Sequence, residues 1–300
     1  MCPENMEKKH YVLVHGACHG AWSWYKLKPR LESAGHLVSV LDMAASGIHP
    51  AKIEDLASMS DYSEPLLKLL ASLPPNEKVV LVGHSFAGMN LAVAIDRFPD
   101  KVSLAVFLAA FMPDTQHKPS YVLEQYNERT PAEEWTDIKF RQCGSITTLL
   151  FGPESLSSKI YQLSPTEDLE LAKALIRPGS LFLEDLSKVN NFSEEGYGSV
   201  PRGYIVCDED KLIPLKFQQW MIQNFGVDET VEIKGADHMA MLSKPQELCH
   251  AGFALGAHQI ARQVMSIGCS SPDEHQMGTR AMPSWLSLQS MIRFINVVAV

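Results

Sequence analysis

The chain of 300 residues is 46% hydrophobic, which suits a single α/β domain with one sizeable core. A formal net charge of −9 argues against nucleic acid or an anionic membrane surface as a partner. The start MCPENMEKKH lacks the apolar core of a secretory signal, and no apolar stretch is long enough to span a bilayer. We therefore expect a cytoplasmic protein whose partner is a small molecule.

Strand and helix patterns alternate along the first part of the chain. Apolar runs predict strands at 10–16, 36–43, 79–82 and 101–111, and a long helix is predicted at 51–73. Such alternation is typical of a mostly parallel sheet with helices on both faces. It resumes after residue 199 with a strand at 202–207, a helix at 214–225, a strand at 229–234 and a helix from 244.

Between about 112 and 199 the alternation stops. Prolines separate short helical patterns near 120–128, 131–140, 153–162, 166–176 and 180–188. We interpret this stretch as a helical cap inserted into one α/β domain that covers residues 10–265.

A nucleophile elbow is predicted at Gly83-His84-Ser85-Phe86-Ala87-Gly88. It follows a buried apolar strand and precedes a good helix, which is the strand–turn–helix context in which such a serine serves as a nucleophile. Ala87 stands where the usual pattern has glycine, and Gly88 follows it. Ser85 is the candidate nucleophile.

Candidate partners for this serine follow the two later strands. His238 comes after the strand at 229–234, and Asp210 comes after the strand at 202–207. The order nucleophile, acid, histidine is the order of α/β-hydrolases, in which the histidine is the general base and the acid holds its ring. The neighbouring Asp208 and Glu209 remain open as alternatives for the acid.

Two backbone N–H groups would be needed to stabilise an oxyanion. One is expected from Phe86, directly after the nucleophile, and the other from Ala17, in the glycine-containing loop after the first strand. No cofactor or metal is expected, because His15 and His19 have no third ligand nearby, and Gly16 and Gly20 do not form a dinucleotide fingerprint. The six cysteines form no CxxC pair and are expected to be free thiols.

Several segments carry a resemblance to a known family. Among them are HYVLVHGACHGAWSWYKLKPRLESAGH, EKVVLVGHSFAGMNLA, YGSVPRGYIVCDEDK and EIKGADHMAMLSKPQELC. From about His10 to Cys249 the chain resembles the plant methyl esterases, a group that includes salicylate-binding methyl esterases, polyneuridine aldehyde esterase and α-hydroxynitrile lyases. The resemblance implies an α/β-hydrolase fold with a cap, and hydrolysis of small methyl esters such as methyl salicylate, methyl jasmonate and methyl indole-3-acetate.

The resemblance also implies residue roles. The family triad falls on Ser85, Asp210 and His238, which favours Asp210 as the acid, and the oxyanion donors fall on Ala17 and Phe86. Substrate contacts are implied at Trp135, Leu181 and Met239. The implied partners are an ester substrate and its acid product, and a homodimer is left open.

The lyase branch differs from this chain at three places. By resemblance, lyases carry threonine at Gly16, glutamate at His84 and lysine at Met239. That lysine charge would handle cyanide, and methionine has none, so an esterase is favoured over a lyase. A hormone-binding or sensor protein on the same fold, and an inactive isoform, remain alternatives.

The end of the chain departs from the family. Residues 250–300 match no pattern of the family, and the stretch at 140–152 is a few residues shorter than its counterpart. We expect the last core helix to continue to about 265 and residues 266–300 to form a loosely ordered tail with an apolar end.

Overall fold

A parallel sheet forms the centre of the protein. The computed structural model describes residues 8–131, 135, 137–252 and 255. The strands in this part of the chain are β1 His10–Val14, β2 Leu37–Leu41, β3 Val79–His84, β4 Val102–Leu108, β5 Lys139–Cys143, β6 Ile146–Leu150, β7 Gly179–Ser180, β8 Arg202–Cys207 and β9 Glu229–Ile233. The α-helices are α1 Lys28–Ser33, α2 Met59–Tyr62, α3 Glu64–Ser72, α4 Ala87–Arg97, α5 Tyr121–Arg129, α6 Pro153–Ser155, α7 Thr166–Leu175, α8 Leu183–Lys188, α9 Leu215–Phe225 and α10 Ala240–Ser243.

The main sheet has the strand order β2-β1-β3-β4-β8-β9, and every neighbouring pair is parallel. Its inner strands are almost continuously apolar and buried, as expected for a parallel sheet. This confirms the predicted α/β-hydrolase fold. Because all strands run the same way, the loops after β1, β3, β8 and β9 meet at the carboxyl edge of the sheet.

The predicted helix at 51–73 is interrupted. The structure has a 3-10 turn at Ile53–Asp55, then α2, then α3. Ser58 starts α2 because its hydroxyl accepts a hydrogen bond from the Asp61 N–H, while the Asp61 carboxylate accepts one from the Ser58 N–H. Pro65 then lies in the first turn of α3, where it is tolerated.

The cap region contains a small antiparallel sheet as well as helices. Strands β5, β6 and β7 pair in that order, so the helix predicted at 131–140 is wrong at its end; residues 132–134 and 136 lie outside the described residues. Cys143 pairs with Ile146 across the two-residue turn Gly144-Ser145, and Gly144 has a φ of 60°. A glycine that supplies a positive φ in a two-residue turn is a hairpin signal, so Gly144 is the residue from which this hairpin could be predicted. The other four cap helices lie close to their predicted positions, and the one at 153–162 continues as a π-helical turn at Leu156–Ile160.

The last helix begins as predicted and is helical over 245–252. Its predicted continuation lies outside the described residues except for Leu255, which is helical and buried. The predicted tail at 266–300 also lies outside them. Among the helices of the described part, none is both long and apolar enough to cross a membrane.

Candidate active site

Ser85 occupies the sharp turn between β3 and α4. Its backbone has a φ of 58°, in the left-handed region that non-glycine residues rarely adopt. Such strain is kept only where the surroundings enforce it. Here the Ser85 N–H donates to the Leu108 carbonyl at 3.2 Å, and the Phe111 N–H donates to the Ser85 carbonyl at 3.0 Å. The elbow therefore fixes the serine hydroxyl at the carboxyl edge of the sheet.

Gly88 is the position of the elbow that most needs to be small. A Cβ atom added there would lie 1.9 Å from the Phe111 carbonyl oxygen, a backbone atom. Ala87 is fully buried with its own Cβ in place, so alanine at the usual glycine position is accommodated. The position at which the helix backbone comes closest to the Phe111 carbonyl is therefore Gly88, one residue after the usual glycine position.

We expect Gly88→Ala to destabilise the fold by about 3 kcal/mol or more, at or above the upper end of the usual cost of overpacking, because the clash is with backbone that no rotamer change relieves. Urea unfolding monitored by circular dichroism measures the loss. The matched control is Gly252→Ala, which adds the same methyl group to a helical residue; apart from its own helix backbone, no described residue lies within 4 Å of the added Cβ. It is expected to keep or slightly raise stability. Equal midpoints for the two variants would contradict the argument.

Asp210 and His238 form a buried pair. The His238 Nδ1 lies 2.7 Å from Asp210 Oδ2, and the two side chains are 2% and 0% exposed. Asp210 Oδ1 accepts the backbone N–H groups of Leu212 and Ile213, both at 2.8 Å.

The alternative acid Asp208 instead accepts the Gly235 N–H at 2.7 Å. The geometry therefore distinguishes between the two aspartates, and Asp210 is the one that holds the histidine ring.

The elbow and the histidine loop are joined by His84. Its Nε2 lies 2.7 Å from the His238 carbonyl oxygen, so Nε2 carries the proton and donates. The rings of His84 and His238 lie 4.5 Å apart between centroids. This contact is not predicted from the sequence, although a histidine directly before the nucleophile is the signal from which it could be anticipated.

The predicted oxyanion donors face the same space as Ser85. Ala17, Ser85 and Phe86 all line one cavity. Within the described residues, neither the Ala17 nor the Phe86 N–H has a protein acceptor. Gly16 allows this approach, since a Cβ there would lie 2.9 Å from Ser85 Cβ. Two free N–H groups beside a hydroxyl can stabilise the negative charge of a tetrahedral intermediate.

His15 and His19 are both held by protein partners on both ring nitrogens. His15 Nδ1 lies 2.8 Å from the Gly16 carbonyl, and its Nε2 accepts the Met43 N–H at 3.0 Å. His19 Nδ1 lies 2.8 Å from the Ala17 carbonyl, and its Nε2 lies 2.7 Å from the Tyr161 hydroxyl. These contacts leave no ring nitrogen of either histidine available to a metal.

Buried histidines should make the protein sensitive to acid. Burial lowers the pKa of His15 and lowers the pKa of His19 to about 4; burial, followed by the nearby His238, lowers the pKa of His84 well below 6.5. In the unfolded chain all three titrate near their ordinary value. As the pH falls from 6.5 toward 4, the unfolded state therefore binds protons that the native state does not.

We expect the free energy of unfolding to decrease over this window by up to roughly 1.4 kcal/mol per pH unit for each of the three histidines. Urea titrations between pH 8 and 5 measure it: the midpoint should be nearly constant above pH 7 and fall steeply below 6.5. The slope of the unfolding free energy against pH reports the number of protons taken up on unfolding, and His19→Gln should reduce that number by about one. A midpoint unchanged from pH 7 to 5 would rule out this account.

The cavity beside Ser85 has a volume of about 660 Å³ and a largely apolar lining. Aromatic and aliphatic side chains supplied mainly by the cap form most of its wall: Phe111, Tyr126, Trp135, Leu149, Phe151 and Leu181. Trp135 and Leu181, two of the three predicted substrate contacts, lie in this wall. Met239 is fully buried and lies outside the cavity wall. Such a cavity accepts a small, mostly apolar molecule.

Comparison with known proteins agrees with this architecture. The alpha/beta hydrolase family matches residues 11–251. Salicylic acid-binding protein 2 of Nicotiana tabacum is 61% identical over 247 residues, which cover 81% of this chain and 95% of that protein. Methylesterase 1 of Arabidopsis thaliana is 56% identical, with 82% and 95% covered. A crystal structure of polyneuridine aldehyde esterase superposes with a TM-score of 0.82 at 50% identity, covering 83% of this chain and all of that one.

Proposed function

The chain belongs to the plant methylesterase family of carboxylic ester hydrolases, and from this premise we propose that it hydrolyses methyl esters of small aromatic or cyclic carboxylic acids. The observation that carries the proposal is the apolar cavity of about 660 Å³ that has Ser85 in its wall beside two free N–H groups. A neutral ester of a small aromatic or cyclic acid suits such a cavity in size and polarity. We propose esters of the methyl salicylate, methyl jasmonate or methyl indole-3-acetate type.

The proposed reaction is acyl transfer through Ser85. The serine Oγ attacks the ester carbonyl carbon while His238 takes the hydroxyl proton, and Asp210 stabilises the imidazolium that forms. The N–H groups of Ala17 and Phe86 stabilise the oxyanion. The C–O bond to methoxide then breaks, and His238 returns the proton, so that methanol leaves.

The second half of the reaction regenerates the enzyme. A water molecule gives a proton to His238 and attacks the acyl carbon, and the bond from that carbon to the Ser85 Oγ breaks. His238 returns the proton to the Ser85 Oγ, and the free acid leaves. The chemistry of the cavity supports one further property of this cycle. A wall that buries the ring of the ester also contacts the ring of the acid, so we propose that the acid product competes with substrate.

The test is release of free acid from a panel of methyl esters, measured by chromatography. The panel contains methyl salicylate, methyl jasmonate, methyl indole-3-acetate and, as a comparison of size, methyl palmitate. Saturable turnover of at least one ring-containing ester, with inhibition by its own acid, is the expected result. A folded protein that turns over none of these esters, or only methyl palmitate, would contradict the proposed substrate class.

A further inference from the structure

A short stretch of the cap, Tyr161–Ser164, lies against three loops of the candidate active site. It follows the π-helical turn at Leu156–Ile160 and precedes α7. The Tyr161 N–H donates to the Leu156 carbonyl at 2.8 Å, and the Ser164 N–H donates to the Tyr161 carbonyl at 3.1 Å. Pro165 follows directly and fixes the backbone. The stretch is therefore a well-defined turn, which we name the cap turn.

The cap turn contacts the loop after β1 that contains Ala17 and Cys18, which we name the oxyanion loop. The contact is made through Tyr161 and His19. A carbonyl oxygen only accepts, so His19 Nδ1 carries the proton that it donates to the Ala17 carbonyl. His19 Nε2 then accepts from the Tyr161 hydroxyl at 2.7 Å. Both polar groups are buried. Through His19, Tyr161 thus fixes the peptide group between Ala17 and Cys18, which lies next to the Ala17 N–H.

The oxyanion loop needs such support because it is strained. Cys18 has a φ of 65°, a conformation that costs a non-glycine residue about 1–3 kcal/mol. Its carbonyl accepts the Arg177 N–H at 3.0 Å, and its thiol lies 3.4 Å from the Leu149 carbonyl. The strained residue is held from the cap side, next to the contact made by Tyr161.

The cap turn also contacts the loop that carries the acid. Gln162 Nε2 donates to the Glu209 carbonyl at 2.6 Å, one residue before Asp210. The Glu209 N–H in turn donates to the Ala236 carbonyl at 3.1 Å, two residues before His238. Glu209 therefore connects the cap turn with the acid loop and the histidine loop.

The third contact is made to Asp237, the neighbour of His238. Its Oδ2 accepts the Leu163 N–H at 3.0 Å and the Ser164 hydroxyl at 2.8 Å. Its Oδ1 accepts the Met239 N–H at 3.0 Å and the Ser243 hydroxyl at 2.7 Å. A carboxylate has about four acceptor sites, and this fully buried one uses two for the cap and two for the histidine loop.

We infer that the cap turn positions the catalytic loops, so that Tyr161, Ser164 and Asp237 act as positioning residues for the reaction. The inference rests on the proposed function, because the positions of Ala17, Asp210 and His238 matter only if these residues act in the proposed reaction. The cap then has two tasks. It supplies the wall of the cavity, and it sets the geometry of the groups that act on the substrate.

The experiment compares two conservative variants of the whole chain. Tyr161→Phe removes the hydroxyl and keeps the ring that stacks on His19, 5.9 Å between centroids. Tyr25→Phe is the matched control. The Tyr25 hydroxyl also connects the core with the cap, donating to Asp168 in α7 at 2.5 Å, and within the described part of the chain it has no hydrogen bond to a catalytic loop. Ser164→Ala is the second test variant. Two readouts are taken: kcat and KM for a methyl ester, and the rate at which diisopropyl fluorophosphate modifies Ser85.

The fluorophosphate reading depends on the serine, the histidine and the oxyanion donors, and it does not depend on which ester the protein uses. In that reaction the Ser85 oxygen forms a bond to phosphorus, the P–F bond breaks, and the serine proton passes to His238. Tyr161→Phe and Ser164→Ala are each expected to slow the modification and kcat about tenfold, with KM changed less than twofold, because small misplacements of reacting groups are costly. Tyr25→Phe is expected to stay within twofold of wild type in both.

Wild-type rates for both test variants, or an equal loss in Tyr25→Phe, would overturn the inference. If Tyr161→Phe fails to fold, Ser164→Ala decides the question. If wild type is modified at Ser85 but hydrolyses no methyl ester, the proposed function fails, and the modification rates still decide the inference. If Ser85 of the wild type is not modified at all, both fail.

Discussion

Replacing Ser85 with alanine is expected to lower kcat for a methyl ester by about 10⁵–10⁶-fold, the loss typical of removing a nucleophile. Ser85 is the hydroxyl in the wall of the apolar cavity that the strained elbow presents beside the free N–H groups of Ala17 and Phe86. Without its oxygen no acyl-enzyme forms, and only binding and oxyanion stabilisation remain. The acid released from the ester, measured at high enzyme concentration, gives the residual rate.

Ser63→Ala is the matched control for this prediction. Ser63 is a fully buried serine whose hydroxyl accepts from Asn90 in α4, so its loss disturbs the helix that follows the elbow without touching the cavity wall. Its kcat should stay near that of wild type, with some loss of stability. A Ser85→Ala variant as active as wild type would show that hydrolysis arises elsewhere. If the folded wild type were itself inert, the binding or sensor alternative would become the better account.

The central sheet and the elbow could be predicted because they depend on local signals. A continuous apolar run such as that of β3 has few uses other than a buried strand, and a small-residue turn with a serine between strand and helix narrows the choice further. Parallel order then brings the loops after β3, β8 and β9 to one edge. The positions of Ser85, Asp210 and His238 follow from that topology, while their roles stay predictions.

The cap was harder to predict because its structure depends on turns and on distant contacts. The predicted helix at 131–140 overlaps the start of β5, and the hairpin of β5 and β6 is not predicted, although Gly144 marks its turn. The helix expected at 51–73 was divided by the Ser58 cap, a side-chain effect that outweighs apolar periodicity. Tyr161 and Asp237 gave no signal in sequence, since their partners lie 142 and 73–74 residues away and only the fold brings them together.

The residue pattern alone also could not distinguish among the acidic residues of the loop after β8; their hydrogen-bond partners in the structure were needed. Asp208 and Asp210 lie two residues apart in one loop, and both accept backbone N–H groups. Only Asp210 reaches a side chain of the candidate site. This difference allows a test in which the same change is made at both positions.

We expect Asp210→Asn to lower kcat by about 10⁴-fold through the tautomer of His238. Asp210 Oδ1 accepts two backbone N–H groups, from Leu212 and Ile213, so the amide oxygen of asparagine must take that place. Its NH₂ group then faces His238 Nδ1 and donates to it. The histidine proton is forced onto Nε2, and the ring can no longer accept the proton of Ser85.

Asp208→Asn provides the comparison for this prediction. Asp208 accepts the Gly235 N–H through one oxygen, and an amide oxygen can keep that bond, so kcat should stay within a few-fold of wild type. The measurements are kcat for the same ester and the melting temperature of each variant, which separates catalysis from folding. Equal losses of kcat in the two variants, or a fully active Asp210→Asn, would remove Asp210 from the proposed mechanism. A loss confined to Asp210→Asn, with both variants folded, would assign the orientation of His238 to this carboxylate rather than to the acidic loop as a whole.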